Sequence, residues 1–171
     1  MDAKRDNEPT LTKKRTTAER KSDRELVVTR TFHCSARILF QAWTTPELFK
    51  QWWVPKSIGM SLLSCELDVR VGGTYRLVFA NEPTPMAFFG RYLEVTPPSR
   101  LVWTNDEGGE GGAVTTVTFT ENGENTLLVL HDLYPSKEAL DAALGSYDGM
   151  QETLDQLDDL LVTLAARAER P

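Results

Sequence analysis

Between Ser61 and Leu133 the chain carries six strand-like runs, SLLSCELDV, TYRLVF, MAFFGRYLEV, RLVWT, AVTTVTFT and NTLLVLHDL. The breaks between them are short: Gly72-Gly73, a loop Asn-Glu-Pro-Thr-Pro, Pro97-Pro98-Ser99, the glycine-rich acidic NDEGGEGG, and Glu121-Asn122-Gly123-Glu124. A parallel neighbour needs a crossover of roughly a dozen residues or more, so this spacing leaves only a mainly antiparallel sheet built of hairpins. An earlier run, ELVVTRTFH over Glu25 to His33, is β-branched and aromatic without Gly or Pro and supplies a further strand, for about six to seven in all.

Two regions depart from the period of two. After the first strand, Ser35 is placed to cap a helix in which Ile38, Leu39, Ala42 and Trp43 recur at helical spacing, and Pro46 suits the first turn of a second short helix, ELFKQWW. Near the C-terminus Met150, Leu154, Leu157, Leu161 and Leu164 alternate steps of four and three, the stripe of a long amphipathic helix. Gln151, Glu152, Asp155, Asp158 and Asp159 fall on its other face and read as solvated. With no second helix of that length to pair with, the stripe is expected to pack on the sheet, giving a two-layer α+β domain. One helix about 10 Å across cannot cover so wide a sheet, and the uncovered part predicts an apolar gap beneath it.

The first two dozen residues are basic and nearly free of apolar side chains, too few to offset a backbone ordering cost of about 1 to 2 kcal/mol per residue. A disordered tail over residues 1 to 23 and one domain over 24 to 168 are therefore expected. The net charge of −6 over 171 residues argues against a nucleic-acid partner. No apolar run reaches the ~18 residues of a membrane span, and the N-terminus lacks the apolar core of a secretory signal. Cytoplasm is the expected compartment.

Chemistry leaves little trace. Cys34 and Cys65 have no metal-ligand or redox spacing and read as reduced, largely buried thiols. His33 and His131 stand in no ligating pattern, so no metal, cofactor or catalytic constellation is expected. His131 with Asp132 would make an acid/base pair only if both entered the gap, and Arg70 would meet a ligand carboxylate only if the charged face of ELDVRVGG were the concave one. These two, Arg70 and His131, are the candidate polar anchors. Aromatic residues make the better case: Tyr75, Leu77 and Phe79 share one strand face, Phe88 and Tyr92 another with Gly90 between them, and Trp103 a third. Together with Trp52, Trp53, Met150 and Leu154 they form the expected lining and rim of a binding cavity.

The segment TRTFHCSARILFQAWTTPELFKQWW, with Pro55 just beyond it, resembles the opening of the family related to the C-terminal domain of the activator of the heat-shock protein 90 ATPase. The resemblance runs on through ELDVRVGGTYRLVF, GRYLEVTPPSRLVWT and GMQETLDQLDDLL, roughly residues 25 to 165. That family belongs to the START-like superfamily, with the birch-pollen allergen fold and polyketide cyclases. The resemblance implies the helix-grip fold and a cavity but no common reaction. One departure bears on cavity shape: many relatives carry Gly-Trp where this sequence has Gly149-Met150. The expected function is a binding protein for a small apolar molecule. The alternatives are a module regulating a heat-shock protein 90-type chaperone and, third, a cyclase- or hydrolase-like enzyme.

Overall fold

The alternation of buried and exposed side chains along each strand is what closes the sheet over its helices. In the computed structural model, which describes residues 16–80, 83–107, 109 and 111–168, β2 (Glu25–Phe32) turns Leu26, Val28, Arg30 and Phe32 inward. The helices α1 (Ala36–Thr44) and α2 (Pro46–Trp52) follow, with Ser35 accepting from the Ile38 N–H and Pro46 in the first turn as the sequence requires. The hairpins β3 (Leu62–Leu67), β4 (Thr74–Phe79), β5 (Met86–Thr96), β6 (Arg100–Thr104), β7 (Val114–Asn122) and β8 (Asn125–Leu133) come next. A short α3 (Lys137–Ala143) and the long α4 (Met150–Ala168) end the chain. With a strand β1 (Thr17–Arg20) ahead of β2, every strand pairing is antiparallel, in the order β1-β2-β8-β7-β6-β5-β4-β3.

Eight strands, not six to seven, make the sheet. The extra one, β1 (Thr17–Arg20), falls in the segment expected to be a disordered tail and pairs with β2 from Thr17 opposite Thr29 to Arg20 opposite Leu26. Its side chains are all exposed, so it is held by the backbone ladder and polar contacts and not by burial. The remainder of that expected tail, residues 1 to 15, lies outside the described residues.

Leu154, Leu157 and Leu161 of the helical stripe are buried, and α4 packs beside α1 and α2. Its acidic face is not simply solvated. Arg30, buried to 2 % exposure on β2, places one guanidinium nitrogen 2.7 Å from Asp155 and another 3.3 Å from Asp158, binding helix to sheet. Glu152 accepts from the Ser57 N–H and hydroxyl at 3.0 and 2.6 Å. Gln156 donates to the carbonyls of Trp52 and Val54 and accepts from the Lys56 N–H. These bonds fix the segment after α2 against the start of α4, and that segment roofs the cavity described next.

Candidate functional site

Strand register sets one row of side chains across the sheet. Asp132 on β8 lies opposite Thr115 on β7, Thr115 opposite Trp103 on β6, and Trp103 opposite Tyr92 on β5. Tyr75 on β4 stands opposite Gly90, where a Cβ would come within 2.9 Å of the Tyr75 ring and collide with the Thr104 carbonyl. Only glycine leaves room there for the ring. Tyr75, Tyr92 and Trp103 consequently meet with centroids 6.0 to 6.4 Å apart at tilted and edge-on angles.

Above this row the helices stand clear of the sheet and leave a cavity of about 420 Å³. Its floor is Tyr75, Leu77 and Phe79 of β4, Met86, Phe88 and Tyr92 of β5, Trp103, Thr115, Leu130 and Asp132. Its roof is Trp43 of α1, Phe49 of α2, Trp53, Val54, Pro55 and Ile58, with Tyr147, Met150 and Thr153 at the α4 end. The roof is stiff: Phe49 stacks on Trp53 at 4.7 Å, and Trp43 makes edge-on contacts with Phe49, Trp52 and Trp53. The Trp43 indole N–H is buried without a hydrogen-bond partner.

One end of the cavity is polar. Asp132 is 8 % exposed; its Oδ1 accepts from the Thr115 hydroxyl at 2.5 Å, and its Oδ2 accepts from the Tyr147 hydroxyl. The Tyr147 oxygen is 2.7 Å from the Tyr134 hydroxyl. On the other side Asn105 donates to Thr115 and to the Ala113 carbonyl, while Tyr75 donates to the Thr104 carbonyl at 2.7 Å and approaches the Asn105 side-chain oxygen at 3.2 Å. Burial pushes the Asp132 carboxyl above the ordinary carboxylate value, against the two hydroxyl bonds that pull it down. Burial likewise pushes the phenols of Tyr75, Tyr92, Tyr134 and Tyr147 upward, so all four stay protonated donors near neutrality.

Of the residues singled out from the sequence, Trp53, Tyr75, Leu77, Phe79, Phe88, Tyr92, Trp103 and Met150 lie on this lining. Trp52 and Leu154 do not. Trp52 is fully buried, its indole donating to the Ala42 carbonyl at 3.0 Å, and Leu154 packs in the solid core.

Arg70 is not a cavity anchor: it sits in the exposed turn between β3 and β4, 3.0 Å from Asp68. Neither is His131. Neighbouring residues of a strand point to opposite faces, so with Asp132 turned inward His131 faces out and meets Glu25 at 2.9 Å. The same alternation, in Thr126, Leu128, Leu130 and Asp132, carries the signal for Asp132 that the His-Asp pairing obscured. Tyr134 and Tyr147 had no such signal, since they are brought together by the short helix α3 and the 3₁₀ turn Leu144–Gly149 that follow β8, not by strand alternation. Burial raises both thiols, Cys34 to about 12 and Cys65 to about 11, and keeps them in the protonated, unreactive form.

The model of the family described as Activator of Hsp90 ATPase homolog 1-like protein matches residues 33–162. The chain belongs to this family. Solved structures similar to this Activator of Hsp90 ATPase homolog 1-like chain agree with the fold. A crystal structure of a protein from Rhodobacter sphaeroides has 26% identity and a TM-score of 0.77, covering 89% of this chain and 99% of that one. A solution structure from Staphylococcus epidermidis has 26% identity and a TM-score of 0.73, covering 86% and 94%. A solution structure of an AHSA1-like protein from Aeromonas hydrophila, at 17% identity and a TM-score of 0.62 over 81% and 94%, shares the fold alone. A search among curated proteins found no match. No described helix is long and apolar enough to cross a membrane.

Proposed function

We propose that this chain is a binding protein that holds a small, largely apolar molecule between the sheet and the start of α4. The cavity carries the reading: about 420 Å³ is within the range of small-molecule sites, roughly 300 to 1,000 Å³, and its walls are mostly aromatic and aliphatic with a few polar groups gathered at one end. Leaving such rings against bulk water is unfavourable by about 25 cal/mol per Å², which a bound apolar body would recover.

Titration with the neutral apolar dye Nile red tests this directly. The folded chain should enhance its fluorescence and gain thermal stability with dye concentration. Met150→Trp, which adds volume at the α4 end of the lining, should abolish the enhancement while the free protein still unfolds cooperatively. Enhancement unchanged by Met150→Trp would place the dye elsewhere and remove the support. The family's description names activation of the Hsp90 ATPase. Stimulation of such an ATPase, equally strong with Met150→Trp, would put the function on the outer surface instead.

A further inference from the structure

Resting on the cavity reading above, we propose that the site selects its ligand by head group, taking an apolar molecule that carries a protonated amine and refusing one that carries a carboxylate. Among the described residues that line the cavity none is Lys, Arg or His, whereas Asp132 and Glu107 both belong to it. Glu107 lies exposed at the edge of the lining, and Asp132 lies buried within it. An anion brought here would lie beside two carboxyl groups with no cation to offset it, and like charges in a poorly solvated site are strongly unfavourable.

Hydrogen-bond accounting at the polar end points the same way. Tyr147 has one hydroxyl hydrogen, and it goes to Asp132, so the 2.7 Å contact between the two phenols uses the hydrogen of Tyr134. Thr115 accepts from Asn105 and therefore spends its own hydrogen on the other oxygen of Asp132. Tyr75 spends its hydrogen on the Thr104 carbonyl. Each of these hydroxyl hydrogens is directed into the protein, and lone pairs on Asp132 and Tyr134 are what remain for a guest. A polar group entering against Asp132 and Tyr134 must donate.

The remaining side-chain donors on the lining, the Tyr92 and Thr153 hydroxyls and the indole N–H groups, are neutral, so none of them balances a guest's negative charge. The rings of Tyr75, Tyr92 and Trp103 share the lining with Asp132, and the negative quadrupole density of an aromatic face favours a cation over an alcohol of equal size. The carboxyl, the phenols and the rings thus ask for the same guest: an ammonium on an apolar body.

Three probes with one body separate the cases: 1-naphthylmethylamine, 1-naphthalenemethanol and 1-naphthoate, titrated into the full chain by calorimetry near neutral pH. The amine should bind about tenfold or more tightly than the alcohol, as expected for a charge-assisted hydrogen bond in a desolvated site, and the naphthoate should be weakest. Asp132→Asn should bring the amine down to the alcohol while leaving the alcohol within about twofold. Glu107→Gln, at an exposed position, should lower the amine by a smaller factor. Naphthoate binding as tightly as the amine would overturn the inference and leave the cavity reading standing, as would an amine preference that survives both substitutions. Failure of all three probes would defeat the cavity reading itself. Should Asp132→Asn fail to fold, the ranking on the native chain and the Glu107→Gln effect decide the matter.

Discussion

Two buried polar clusters stand on the inner face of this sheet, and they are built in opposite ways. At Arg30 a cation with 2 % exposure is met by two carboxylates, Asp155 and Asp158, that reach it from α4 while keeping contact with solvent. At Asp132 a buried carboxyl is met only by neutral hydroxyls, from Thr115 and Tyr147, and it borders a cavity. The first cluster answers its charge with counter-charges from within the fold, leaving only the Arg30 Nε–H without a partner. The second satisfies hydrogen bonds but has no counter-charge, and so keeps an unmet preference for a cation. Burial alone does not distinguish structure from site; charge closure does.

The largest effect should come from opening the closed cluster. Asp155→Asn combined with Asp158→Asn leaves the Arg30 guanidinium buried without a counter-charge, and should destabilise the protein by about 3 to 5 kcal/mol in denaturant unfolding. A loss below about 1 kcal/mol would mean that water reaches Arg30 and that the two clusters are less different than described.

A comparison along α4 should give the next largest. Leu157, fully buried in the core, should cost about 2 to 5 kcal/mol on substitution by Ala. Met150→Ala, beside existing empty volume and half-buried, should cost under about 1.5 kcal/mol, because few packed atoms surround it to lose. Equal costs would show that the cavity is as tightly filled as the core.

Sequence reasoning reached the solid parts of this molecule more readily than the hollow one. Alternation in ELVVTRTF and NTLLVLHDL and the turns between hairpins located seven strands, and the α4 stripe located its helix. The strand β1 escaped because TAER has no apolar residue larger than Ala18 and its pairing is a backbone matter. The α3 segment KEALDAA, behind the capping Ser136, is too short for a stripe and buries only Leu140. At the site, the rings were legible as a shared face. Arg30 and Asp132 are legible in principle, each the one charged residue on an otherwise inward-facing set, but Arg30 carries no expectation from the sequence and Asp132 only one tied to His131. That Asp155 and Asp158 answer Arg30 across more than a hundred residues depends on tertiary packing, which no local pattern carries.

The smallest effect is the pH dependence of the open cluster. Desolvation holds the Asp132 carboxyl above its ordinary value, so the folded state keeps its proton more tightly than the unfolded state does. Its contribution is fully present below that value and is lost as pH rises through the folded pKa. Relative to the native chain, Asp132→Asn should therefore gain in stability between about pH 4 and the folded pKa and then level off, a trend that denaturant midpoints at several pH values would follow. The opposite trend, with the native chain gaining on the variant as pH rises, would mean that the Thr115 and Tyr147 hydroxyls favour the carboxylate more than burial opposes it.

The most direct measurement is a two-dimensional NMR titration of the full chain with 1-naphthylmethylamine, following the backbone amide, indole N–H and Met methyl signals. A ligand held between sheet and helix should shift Trp53, Trp103 and Met150 saturably and leave the outward-facing Leu63 and Val162 unmoved. Shifts confined to the outer face, or no saturable shifts at any of the lining residues, would contradict a ligand-binding cavity in this protein.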